Sequence, residues 1–511
     1  MKYALFIMLL MPFSLKAQVK FDYSWVFGYP TDTGSNEDYN GTLLSFNSFP
    51  PALAWFDIPF ALDATSAISD SSGNLLFYTN GCDIANRNHK VMANGDEINK
   101  GGLLYEQDCL GSMSSTGYNY GYNTHQGALI LPWPGQPQQY ALFHLHKPDP
   151  ASRQFIQNLK YTVIDMSLDF GLGAVTEKNH QVFSDTFCDM LTALRHANGR
   201  DWWLVLPKYN TGRYYTFLFS PEGISAPVLH DAGSPITQEG FGVQATFSPN
   251  GKKYANMTYY DGLQVFNFDR CTGNIELVLK TREFNFGHSH ACGVAFSPGS
   301  RFLYVTAGHS LYQYDMQSEN LASSQRLVGE YDGYSNPLPT NFYQMMLAPD
   351  GKIYMTTPNG SKYLHAIHHP DSLGLACDFE QRAVQLMGYH GISPPNFPHF
   401  RLYDLPGSPC DTLGINGPQP PEDTLPAPPA CATEFHLWPN PASHEVLLEL
   451  PACASGSIQV LDVMSCWVQD IIVQGGGSVM FDVSGYQPGV YFICWQGEGD
   501  IGVVKRLVVV R

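Results

Sequence analysis

Histidine pairs are the first feature of this 511-residue sequence with the spacing of a chemical site. His288 and His290 lie two apart in FGHSHACG, His144 and His146 repeat that spacing, and His365, His368 and His369 form a third group. In a strand, residues i and i+2 share a face, so two imidazoles could meet one metal ion there. A zinc site takes three or four ligands, so no pair is a site by itself. The plainer reading makes them polar residues along a channel or sheet edge. Two carboxylates about 5–9 Å apart would give a glycosidase, but sequence does not fix such a distance. Asp70 misses the sialidase-type Ser-x-Asp-x-Gly box, because two residues rather than one separate it from Gly73. The aspartates read as turn formers. Asn36 to Gly41 is a poor copy of a calcium loop and reads as a solvated loop. GxSxG, HExxH and phosphate-loop motifs do not occur. Gly111 to Asn123, rich in Gly, Ser, Tyr and Asn, suits an adaptable binding loop or a plain insertion between strands. No catalytic, metal or cofactor residue is assigned, and no cofactor is expected.

Composition narrows the classes. Acidic residues outnumber basic ones by 46 to 28, for a net charge of −18, which opposes a phosphate backbone, so no nucleic-acid partner is expected. Aromatics at 13% and charged residues at only 14% argue against a disordered chain. The eleven cysteines include no CxxC pair, and their odd number leaves at least one outside an internal disulfide.

The elements that must position these residues are strands. Six segments share one pattern: an apolar strand, a tight turn and a second aromatic or apolar strand. They begin near Ala64, Gln126, Met190, Gly242, Gly293 and Tyr343, with turns near 73, 135, 199, 251, 300 and 351. Asn198-Gly199, Asn250-Gly251 and Asp350-Gly351 supply the positive φ that two-residue hairpin loops want. A strand-built repeat of this length predicts an all-β chain with a β-propeller over residues 18–405. Seven blades are expected, with six as the alternative. The seventh blade would form by pairing Tyr23–Phe46 with a last strand in His390–Asp404, which removes two sheet edges.

The order SWVFG, SDSSGNLLFYTNG, HKVMANG, LKYTVIDMSLDFGLGAV, LRHANGRDWWLV, GISPPNFPHFRL, across roughly residues 22–404, resembles secreted propellers of bacteria that use type IX secretion, of the gliding-motility-associated, WD-repeat-like kind. That resemblance implies a fold and an exported destination rather than an activity.

Both ends of the chain concern export. Met1-Lys2, the apolar run Tyr3–Leu15 and Ala17 read as a signal peptide (1–17) cut between Ala17 and Gln18. The run is too short to span a membrane, so no transmembrane segment is expected in the mature chain. From Pro406 to Pro429, eight of 24 residues are proline, a spacer over 406–430. Residues 431–511 alternate in short strands with turns between, which predicts a small β-sandwich. WPNPAS with Pro439, Asn440 and Pro441, QVLD at 459–462, FDVS at 481–484, PGVY with Gly489 and Tyr491, and the terminal KRLVV beginning at Lys505 closely resemble the type IX C-terminal sorting domain. Ser465-Cys466 departs from the Gly-Lys type of turn usual in that family. The resemblance implies the type IX machinery as a partner and a secreted or outer-membrane-surface location, reached through the periplasm. The expected function is a binding, adhesion or scaffold module for an extracellular protein or glycan. The alternatives are a glycan-active hydrolase at the mouth of the propeller channel and a structural part of the envelope machinery.

Overall fold

The computed structural model describes residues 19–30, 38–111, 119–148, 155–237, 241–287, 289–415, 436–450, 456–463, 467–473, 477–496 and 502–510. The expected signal peptide with Ala17 and Gln18, residues 416–430 of the spacer, residues 431–435 of the expected sorting domain, His288 and Ser465-Cys466 lie outside them. The chain divides into two compact units, Met1–Pro418 and Gln419–Arg511.

The first unit is an all-β propeller. All six hairpins form, with inner strands Ser66–Ser69, Ala128–Pro132, Thr192–Arg195, Val243–Phe247, Cys292–Phe296 and Met345–Leu347, each paired antiparallel to the next strand. Each opens a sheet of three to five strands, and a further sheet of Ser24–Gly28, Gly41–Ser45 and Ala52–Phe56 precedes them. Strands near the axis are covered on both faces, so Leu75–Thr79 (LLFYT) and Phe302–Ala307 (FLYVTA) are buried throughout. Outer strands alternate, as in Ile275–Thr281.

The hairpin turns are longer than expected. Phe247 pairs with Tyr254, and the Gly251 N–H donates to the Ser248 carbonyl. Pro249 holds the second position of this turn and Gly251 the fourth, at φ +72°, the type I preference of Pro at i+1 and Gly at i+3. Ala348-Pro-Asp-Gly351 repeats the geometry, with the Gly351 N–H donating to the Ala348 carbonyl. Proline displaces the two-residue loop by fixing φ one position before the Asn-Gly or Asp-Gly pair.

Successive sheets share apolar cores. Val26 and Phe56 pack with Ala67 and Tyr78, Phe77 with Leu129 and Leu204, and Leu194 and Val205 with Val243 and Phe247. Val265 packs with Val294 and Val305, and Tyr304 with Ile353 and Met355. Tyr354, Leu364 and Ala366 of the last sheet then pack with Tyr23, Trp25 and Phe27 of the first, which closes the ring.

Closure differs from the expected shared sheet. The segment 390–404 contains no strand, and Ser24–Gly28 pairs only with Gly41–Ser45. Pro394, Pro395 and Pro398 lack N–H groups and cannot sustain a ladder. The segment instead threads the inner side of the ring. Its Ile392 and Ser393 N–H groups donate to the Asp63 carbonyl, that of Asn396 to Thr65 and that of Leu405 to Ala197. Gly391 is needed there, because a Cβ would lie 1.8 Å from the Leu62 carbonyl oxygen.

The second unit holds a three-stranded sheet (His436–Trp438, Glu445–Leu450, Gly477–Asp482) and a four-stranded one (Gly456–Asp462, Trp467–Val473, Gly489–Gln496, Gly502–Val509). Val446, Leu448 and Phe481 from one sheet meet Ile458, Val460, Ile493 and Leu507 from the other in one core, as in a β-sandwich.

Candidate functional site

The axis is filled rather than open. Inner strands leave unpaired edges, and glutamine amides satisfy them. Gln126 accepts the Ala245 N–H at 2.6 Å and donates to its carbonyl at 2.9 Å. Gln244 accepts from Val294 (2.9 Å) and Met345 (3.0 Å) and donates to the Met345 carbonyl at 2.6 Å. Gln344 donates to the Val243 carbonyl at 2.7 Å, and Asn396 to those of Ala128 and Leu191 at 3.0 Å each. Gly293 permits the approach, since a Cβ would lie 2.4 Å from the Tyr343 carbonyl oxygen. An axial cavity lined by Gln126, Gln244 and Asn396 with Phe397 and His399 is about 20 Å³, room for one water.

Beside Gln126 lies a group of buried ionisable residues. Asp189 is fully buried and accepts the N–H groups of His125 (2.6 Å) and Gln126 (3.1 Å). Burial pushes its carboxyl up to about 6, against opposing pulls from Lys147 and those two N–H groups. Burial pushes His125 down to about 4, and its ring packs against Tyr343 and Phe241. Asp63 accepts the Tyr29 hydroxyl at 2.5 Å, and burial raises its carboxyl. Asp83, likewise raised to about 6 by burial, accepts from Asn119 at 2.7 Å. Asp108 is raised to about 6 by burial, and its Oδ2 has no partner. Most of these carboxyls cap backbone or side-chain donors. The Cys82–Cys109 disulfide fastens the segment carrying Asp108 to the second sheet.

The sequence candidates fall into separate settings. His144 donates to Asn99 Oδ1 at 2.6 Å and accepts from Thr162; His146 donates to the Gly101 carbonyl at 3.0 Å and accepts from Asn158. They share a face, but Asn99 and Gly101 occupy it. His365 donates to the Thr340 carbonyl, His368 meets Glu380 at 2.8 Å, and His369 lies 4.0 Å from Asp378. His290 stacks on Tyr259. Among the described residues no three His, Cys, Asp or Glu side chains gather as a metal site. Asp70 caps its own turn, accepting from Ser72 and Asn74. Of the loop 111–123, residues 112–118 lie outside the described residues; Asn119 bridges Asn80 and Asp83, and the Tyr122 hydroxyl accepts the Lys147 N–H. Of 36–41, Asp38 pairs with Lys362 and Asn40 is buried, so this end is packed rather than solvated.

Sequence reasoning missed two rim clefts. One, about 630 Å³, lies between the turns of the second and third sheets and is lined by Phe21, Asp70, Trp133, Gln136, Gln138 and Tyr140, among others. The other, about 250 Å³, is lined by Tyr334, Tyr363 and Tyr389 beside the Lys362–Asp38 pair. The WPG turn at Trp133 was the available signal for the first.

In the second unit the motif residues converge on the last two strands. Asn440, between Pro439 and Pro441, donates to the Arg506 carbonyl and accepts the Val508 N–H, both at 2.8 Å. Gly489 pairs with Val509, Tyr491 with Leu507 and Lys505 with Ile493. The Tyr491 hydroxyl donates to the Gln487 carbonyl.

No curated protein matches this sequence. Among solved structures the chain is similar to a functionally unknown protein from Desulfotomaculum acetoxidans (12% identity, 73% of this chain and 99% of that one, TM-score 0.39). It is also similar to the periplasmic gluconolactonase of Pseudomonas aeruginosa (13%, 73% and 98%, 0.38) and to a β-propeller domain from Myceliophteria thermophila (10%, 66% and 94%, 0.35). At these scores the likeness says nothing of activity. Residues 436–510 match the family model described as the secretion system C-terminal sorting domain, a tail that indicates type IX delivery to the cell surface or out of the cell.

Proposed function

We propose that this protein is a seven-bladed propeller that acts outside the cell as a binding or adhesion module, or as a scaffold, for an extracellular protein or glycan. Each of the seven sheets is read as one blade, which the unbroken succession of shared cores supports. Residues 1–17 are its signal peptide, 18–405 the propeller, 406–430 the spacer and 431–511 the sorting domain that engages the type IX machinery. The motif order from SWVFG to GISPPNFPHFRL supports a place among secreted propellers of the gliding-motility-associated, WD-repeat-like kind.

The observation that carries the binding reading is the amide-filled axis. A hydrolase of the channel-mouth type needs an open mouth with two facing acids, whereas here Gln126, Gln244, Gln344 and Asn396 close the axis, and the neighbouring Asp189 caps two backbone N–H groups. Rim clefts with aromatic and amide walls are suited to recognition. The test is an array of glycans and extracellular proteins probed with the exported chain, followed by product analysis of each ligand retained. Saturable binding without turnover is expected; cleavage of a bound glycan would favour the hydrolase.

A further inference from the structure

The 630 Å³ cleft lies within the usual size of a small-molecule pocket, about 300–1,000 Å³. Its walls are hairpin turns stiffened by Pro132, Pro134 and Pro137. Trp133 is held in place: its indole N–H donates to the Pro221 carbonyl at 3.4 Å, and its ring packs edge-on against Phe219 and Tyr161. Such a wall is pre-ordered, so binding to it costs little side-chain entropy.

Tyr140 points to the ligand's chemistry. The residue is only 6% exposed and lines the cleft, and its hydroxyl makes no hydrogen bond to another described residue. A phenol hydroxyl can both donate to and accept from a ligand hydroxyl. Asp70, held in its turn by three hydrogen bonds, keeps further acceptor capacity at the same wall. Gln136 and Gln138 are exposed there, with side chains that bond to no other described residue. Asp70 is the one charged residue among those lining the cleft, which disfavours an anionic ligand. The lining belongs to turns and paired strands, so it offers no free strand edge for a peptide to extend.

We propose that this cleft binds the end of a neutral, hexose-type oligosaccharide, with sugar C–H faces against Trp133 and Phe21 and sugar hydroxyls on Tyr140, Asp70, Gln136 and Gln138. The proposal rests on the reading of the protein as a binding module and names the ligand class of one site.

Isothermal titration of the exported full chain tests it, with maltotetraose, cellotetraose and mannotetraose as neutral probes and tetragalacturonate as the anionic one. At least one neutral probe binds, and tetragalacturonate binds at least tenfold more weakly. Tyr140→Phe weakens neutral binding at least fivefold while leaving the melting temperature unchanged, and Trp133→Ala abolishes it. Failure of all neutral probes, equal binding of the anionic probe, or full affinity in Tyr140→Phe would overturn the site. A different array ligand whose binding ignores both variants would overturn the cleft but not the module; an array without any ligand would overturn both.

Discussion

Asn440 clamps the last strand of the sandwich from outside its sheet, through the Arg506 carbonyl and the Val508 N–H. Both bonds are solvent-exposed, so Asn440→Ala should cost about 1 kcal/mol. Hydrogen exchange should quicken over 502–509 and stay unchanged in the propeller; equal protection in the variant would contradict the clamp. Buried titratable residues predict a pH dependence. Burial lowers His89, His125, His146, His390 and His399 to about 4, His365 to about 3, His144 well below its ordinary value, and His230 below it. Their unfolded pKa is about 6.5, so the stability they contribute is present above that pH and is lost as pH falls through about 4. Asp83, Asp108 and Asp189, raised to about 6 by burial, act in reverse, as does Asp63: their contribution is present below the unfolded carboxylate value and is lost as pH rises through about 6. Eight histidines outweigh four aspartates, so unfolding takes up protons between about pH 4 and 6.5. The melting temperature should fall steadily from pH 7 to pH 4.5, and a higher value at pH 5 than at pH 7 would refute this balance. The shared face of His144 and His146 was legible from their spacing. Asn99 and Gly101, which occupy that face, lie in a loop some 45 residues earlier, and strand periodicity says nothing of such a loop.

At the scale of elements, the segment 390–405 links the ring from within. Arg401 makes a two-pronged ion pair with Asp22 (2.6 and 2.7 Å), whose carboxylate side chain is only 5% exposed, and His399 donates to the Phe247 carbonyl at 2.8 Å. Arg270 donates to the carbonyls of Arg195, His196 and Tyr403, and the Cys271–Cys410 disulfide fastens the departing chain just beyond. Arg401→Met leaves Asp22 buried and unpaired, at a cost of about 3–5 kcal/mol. Chemical denaturation should show that loss in the propeller transition, and Arg401→Lys, which lacks the fork, should recover only part of it. A variant as stable as the parent would show that the segment does not link the ring. The six hairpins were legible because turn chemistry and strand composition are local. The route of 390–405 was not: HGISPPNFPHFRL carries the apolar residues of a strand, and only its three prolines signal that no ladder forms. The axial glutamines were equally hidden, since a polar residue in an inner strand reads as a solvent-facing one until its partners in other sheets are known.

At the scale of the molecule, the propeller has its own closed set of cores and the sandwich has another. Each unit should therefore fold without the other, so a chain ending near residue 418 should melt as cooperatively as the propeller transition of the full chain. Loss of that transition would show that the tail is part of the fold. Export was the most legible property, because WPNPAS, PGVY and KRLVV are local strings at one end of the chain, whereas the larger cleft is assembled from residues as far apart as Phe21 and Met166. The claim that the tail delivers a self-sufficient propeller is tested most directly by surface protease shaving and fractionation of a type IX-competent host expressing the chain with and without residues 431–511. The full chain should be shaved from the surface or recovered from the medium, and the shortened chain should remain folded in the periplasm. Normal surface levels of the shortened chain would contradict the account.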